Sequence, residues 1–228
     1  MADPAPNAQL LRSLGRLARG LSAVFWGLPL ALIACVQTAW TNMLSSFGVV
    51  PVVATTGLVL FGLLQMGGFQ RQERIWRAAL DRAQLLAVIN VGLSPFVYWW
   101  SHAPHQSFFG AMLLLLVLTG LIFLSQMNVL LVRLAAMLPD ETLRLETRQF
   151  APINRVLLAL TLLLVIANAA LARFPLSLPE SLAFATGWIE RAGQWFPMLL
   201  VLLPLAMTMA LIWKTKEVIL ESVFNHSR

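Results

Sequence analysis

Six separate runs of roughly twenty apolar residues dictate what this chain can become, because each is long enough to cross about 30 Å of hydrocarbon as a helix. They fall at 21–40, 49–68, 84–101, 109–133, 155–173 and 196–214, and inside their ends none carries Asp, Glu, Lys or His. A backbone in lipid must satisfy its N–H and C=O groups within its own segment, so these runs read as helices. Only 11% of the 228 residues are charged and 59% are apolar. Globular domains carry about 25% charged residues, so too little charge remains here to cover a water-exposed surface. Soluble globular, disordered, collagen-like and disulfide-rich secreted classes are thereby excluded. The expected fold class is all-α: a polytopic membrane bundle of six transmembrane helices in three hairpins, with short interfacial amphipathic helices.

Three parts follow from this pattern. Residues 1–20 form an N-terminal cytoplasmic amphipathic segment, 21–214 the transmembrane domain, and 215–228 a cytoplasmic tail. Leu10, Leu14, Leu17 and Leu21 share one helical stripe while Arg12, Arg16 and Arg19 share another, which predicts a helix lying on the membrane surface. Residues 72–82 have the same character. Asp140 is placed to cap a short helix that ends before Pro152. Ser177 and Glu180 form a capping box opening a further interfacial helix with Leu182, Phe184 and Trp188.

The distribution of cations predicts orientation, since Arg and Lys stay on the cytoplasmic side. With both termini cytoplasmic, fourteen of the sixteen cations lie inside and only Arg173 and Arg191 outside. Trp40, Tyr98, Trp99, Trp100, Trp188 and Trp195 then mark the outer interface, and Trp213 the inner one. The expected location is a bacterial-type inner membrane, multi-pass. On this reading the net charge of +6 is a topogenic signal facing anionic inner-leaflet lipids, and no nucleic-acid partner is expected.

Chemistry-bearing motifs are scarce. Haem in a membrane helix needs axial histidines, yet His102, His105 and His226 all lie outside the spans. Pro104 breaks the His102–His105 pair away from regular helix and no third ligand is near, so no zinc site is expected. No Gly-x-Ser-x-Gly, phosphate loop, dinucleotide fingerprint or His-Glu-x-x-His occurs. One cysteine allows neither an internal disulfide nor dithiol exchange. The expectation is a protein that is not an enzyme and carries no cofactor.

Polar residues inside the spans are the most informative. Gln65, Asn90, Ser94, Gln126, Asn128 and Asn168 each need a partner in lipid, and together they make a candidate intramembrane cluster. Gly27, Ala31 and Cys35 repeat every four residues and, with Ala206 and Ala210, form candidate helix-packing faces. Without buried charge, the leading expectation is a structural or accessory subunit of a larger membrane assembly, with protein partner subunits. The alternative is a transporter or substrate-binding component for an uncharged or lipophilic ligand. Six short spans, a cytoplasmic N-terminus and the small-residue face on the first span resemble, in architecture only, the substrate-binding components of energy-coupling-factor vitamin transporters. That resemblance implies small-molecule binding.

Overall fold

The computed structural model describes residues 5–41, 45–69, 73–138, 140–173 and 195–225. Within them the chain is all-helical: α1 (Ala5–Trp40), a short 3-10 turn (Ser45–Phe47), α2 (Val50–Met66), α3 (Arg74–Leu93), α4 (Pro95–His102), α5 (Ser107–Met137), α6 (Glu141–Arg173) and α7 (Trp195–Asn225). Four stretches are long and apolar enough to cross a membrane: Ser13–Trp40, Arg74–His102, Ser107–Met137 and Glu141–Ala167. The second and sixth predicted spans do not join them on these criteria. With 17 residues, α2 reaches only about 26 Å at 1.5 Å per residue, and in α7 the side chains of residues 195–200 lie outside the described residues. Large apolar side chains face outward all around the bundle, among them Leu64, Leu85 and Leu163. In water such a surface aggregates; in lipid it is the ordinary exterior, so this is a membrane protein.

The amphipathic segments are corrected. No breaker separates residues 10–21 from the first span, and α1 runs through both without interruption. Leu17 and Leu21 are fully buried in the bundle core, so this stripe packs against protein. Likewise residues from Arg74 onward simply begin α3, with Trp76, Ala79 and Leu80 buried. The helix expected to end before Pro152 continues as α6 for 33 residues. Proline removes the bond to the carbonyl four residues earlier. Here that carbonyl belongs to the exposed Arg148, where solvent can replace the lost donor. Asp140 does cap α6: its carboxylate accepts from the Thr142 amide at 2.8 Å and the Thr142 hydroxyl at 2.7 Å. The Thr142 hydroxyl bond is the main reason its carboxyl is held below the ordinary value. The expected helix after Ser177 lies outside the described residues.

Neighbouring helices pack antiparallel, and close contacts set their register. Gly20 meets Gly62 and Gly27 meets Val59 between α1 and α2. Gln84 Nε2 donates to Leu63 O, joining α3 to α2. Asn90 meets Thr119 between α3 and α5, and Asn128 meets Asn154 between α5 and α6. A Lys214–Glu146 ion pair ties α7 to α6. These registers bring Arg16, Arg74, Arg133, Asp140 and Lys214 to one end of the bundle. Trp40, Trp99 and Trp100 lie at the other.

Candidate functional site: an apolar cavity and its polar neighbours

A cavity of about 380 Å³ opens in the end of the bundle opposite the arginines. Leu28, Ala31 and Cys35 of α1 lie across it from Leu113, Leu116 and Gly120 of α5. Val97 and Trp100 of α4 and Val201 and Leu205 of α7 contribute further wall. Small residues leave the space. Ala31 and Ala39 offer only methyls, and a Cβ added at Gly120 would meet nothing within 4 Å. The lining holds no Asp, Glu, Lys or Arg. Its polar side chains are chiefly Asn90 and Thr56.

Asn90 is anchored rather than free. Its Oδ1 accepts from Thr119 Oγ1 at 2.7 Å, which fixes the amide plane and leaves Nδ2 without a partner among the described residues. Five residues on, Pro95 has no N–H for the Val91 carbonyl, and the fully buried Ser94 hydroxyl donates to that oxygen at 2.8 Å. Thr56 Oγ1 reaches Ser94 at 3.4 Å. The Ser-Pro step thus joins α3 to α4 without orphaning the Val91 carbonyl, and α4 flanks the cavity.

The remaining polar residues separate into other seams. Asn128 lies fully buried among α5, α6 and α7, bonded to Leu124 O at 2.9 Å. Asn154 Nδ2 donates to Asn128 Oδ1 at 3.0 Å, Thr208 Oγ1 at 3.0 Å and Pro204 O at 3.2 Å. Its Oδ1 is buried with no partner among the described residues. Gln65 sits half-buried where α2 meets Gly20, and Gln126 lines a separate groove with three arginines. The side chain of Asn168 lies outside the described residues. Of the five predicted polar residues whose side chains are described, Asn90 alone lines the cavity, with Ser94 just behind it.

Asn154 and Thr208 went unread in the sequence. Asn154 falls next to Arg155, where a span begins, and nothing in composition separates it from a loop amide. The packing faces divide too. Gly27 abuts Val59, where an added Cβ would lie 2.8 Å from Cγ2, while Ala31 and Cys35 line the cavity. Ala206 and Ala210 face outward, and α7 packs instead through Leu205, Thr208, Ile212 and Ile219. A tighter approach occurs at Gly20 and Gly62, each of whose added Cβ would lie within 2.7 Å of the other's carbonyl oxygen. The seven-residue spacing of Gly20 and Gly27 was its available signal. Comparison with known proteins gives no guide to what fills this cavity: no family model, curated protein or solved structure matches the chain.

Proposed function

We propose that this protein binds, and passes or presents, an uncharged apolar small molecule in the cavity between α1 and α5. One observation carries the reading: about 380 Å³ of space whose walls hold no Asp, Glu, Lys or Arg. Ligand sites are concave, mainly apolar, from about 300 Å³ upward, with a few polar groups fixing orientation. Asn90 supplies such a group, its amide N–H pointing the way for a ligand carbonyl or hydroxyl. A charged ligand would find no counter-charge on these walls and would lose its hydration uncompensated.

In this reading α2 and α7 complete six spans in three hairpins, and the bilayer thins slightly around α2. Both termini face the cytoplasm of a bacterial-type cell, which puts the arginine-bearing end inside and Trp40, Trp99 and Trp100 at the outer interface. A reporter active only in the periplasm then works after His105 and stays silent after Arg228. The reverse pattern removes this topology.

The accessory-subunit reading has its own support, the outward Ala206 and Ala210 on α7, since small residues let a partner helix approach closely. Native mass spectrometry of protein purified in mild detergent separates the two. Ligand binding predicts an apolar small molecule carried one to one by wild type and lost from Gly120→Leu. Protein subunits in fixed proportion, with no small molecule, favour the accessory role.

A further inference from the structure

We infer that the groove between α3 and α5, which Arg74, Arg82 and Arg133 line beside Gln126, is a binding site for the phosphate of an anionic phospholipid. The groove encloses about 310 Å³ and is separate from the apolar cavity. Its geometry follows from the Thr119–Asn90 bond, which sets the antiparallel register of α5 on α3. Eight residues back along α3 lies Arg82, level with Gln126 on α5; eight more bring Arg74 level with Arg133. Each of these steps is about 12 Å of helix. The three guanidinium groups therefore line one seam at two heights, all exposed, with the Gln126 amide half-buried at the lower one.

Among the described residues none of the three arginines makes an ion pair or hydrogen bond, although Glu73 and Asp81 are adjacent in sequence. Three like charges on one groove repel each other unless an anion joins them. Arginine forks match phosphate oxygens bidentately. The positive end of the α3 macrodipole lies at the same height as Arg74 and Arg133.

The rest of the seam says which anion. Ile75, Ala79 and Val129 form an apolar wall between the cations. Past Arg82 and Gln126, steps of three and four residues lead to Leu85 and Ile122, exposed and apolar. The exposed face thus passes from cationic to hydrocarbon-like along its length, as a phospholipid does from headgroup to acyl chain. A soluble phosphate would use only the upper part.

Native mass spectrometry of the full chain in mild detergent, titrated with phosphatidylglycerol or phosphatidylcholine, tests this. Wild type should retain phosphatidylglycerol in preference to phosphatidylcholine. Arg82→Gln with Arg133→Gln should weaken phosphatidylglycerol binding about tenfold or more, the effect of losing about 1.4 kcal/mol. Arg77→Gln, which removes one positive charge on α3 outside the groove, should not. All these side chains are exposed, and circular dichroism checks that the variants stay helical. Equal retention of both lipids, or equal loss with Arg77→Gln, overturns the site. Displacement of phosphatidylglycerol by millimolar inorganic phosphate overturns the lipid assignment in favour of a free-anion site.

Discussion

Replacing Gly62 by alanine tests the tightest glycine contact among the described residues. The new methyl would lie 2.7 Å from Gly20 O and 3.0 Å from Val24 N, both backbone atoms that cannot rotate away. Carbon-to-oxygen contacts settle at about 3.3 Å or more, so α1 and α2 must part by about 0.6 Å. A gap of that size forfeits about a quarter to a half of each dispersion contact along the seam. Alanine also gains about 1 kcal/mol of helix propensity over glycine. Overpacking typically costs about 1–3 kcal/mol, and here the immobile backbone puts the cost at the upper end. The net expectation is a loss of about 1–2 kcal/mol once propensity is subtracted. Gly57→Ala is the control: nothing lies within 4 Å of its added Cβ, so propensity acts alone and the protein is unchanged or stabilised. Reversible unfolding in mild detergent by added dodecyl sulfate, followed by circular dichroism, reads both. The Gly20→Ala, Gly62→Ala double variant should cost less than the sum, because helices already parted accept the second methyl. Gly62→Ala unfolding at the same point as Gly57→Ala would refute the close seam.

Two further outcomes follow from named contacts. Asn154→Leu removes the donor shared by Asn128, Thr208 and Pro204 and leaves Asn128 Oδ1 buried without it, so the same unfolding assay should show a loss of about 1–3 kcal/mol. Adding Asn128→Leu should recover part of that loss, because the stranded acceptor goes with it; a purely additive pair would contradict the network. Asp140 has a folded-state pKa below its ordinary 3.8, so its cap contributes stability above that value and loses it as pH falls through the lower folded pKa. Wild type should therefore weaken relative to Asp140→Asn below about pH 4, and parallel pH profiles would mean that the cap carries no charge-dependent term.

The apolar runs made the helices legible, and Asp140 announced the start of α6 through its side chain alone. Helix boundaries were less so. Residues 10–21 and 74–82 have an amphipathic stripe that suits a membrane surface and a protein seam equally, and only the partner helix decides between them. Pro152 carries the usual signature of a stop, yet the adjacent Arg148 carbonyl is exposed and loses little. Small residues gave the same period on α1 and α7, but Gly27 found Val59 whereas Ala206 and Ala210 face away from every helix among the described residues. Asn90 was readable as a polar group needing a partner. That its neighbours on other spans would turn to other seams was not, because rotation about a helix axis is fixed by packing across the bundle.

Cys35 gives the most direct measurement of the central claim, that the bundle encloses a cavity open to apolar molecules. It is the chain's one cysteine and lines the cavity wall across from Gly120. In membranes, an uncharged permeant maleimide should modify Cys35 and a charged thiosulfonate of similar size should not. Gly120→Leu, whose Cβ would meet nothing within 4 Å, should occupy part of the space and slow the uncharged reagent while the protein stays folded. Equal labelling of wild type and Gly120→Leu, or faster labelling by the charged reagent, would contradict an apolar cavity at this place.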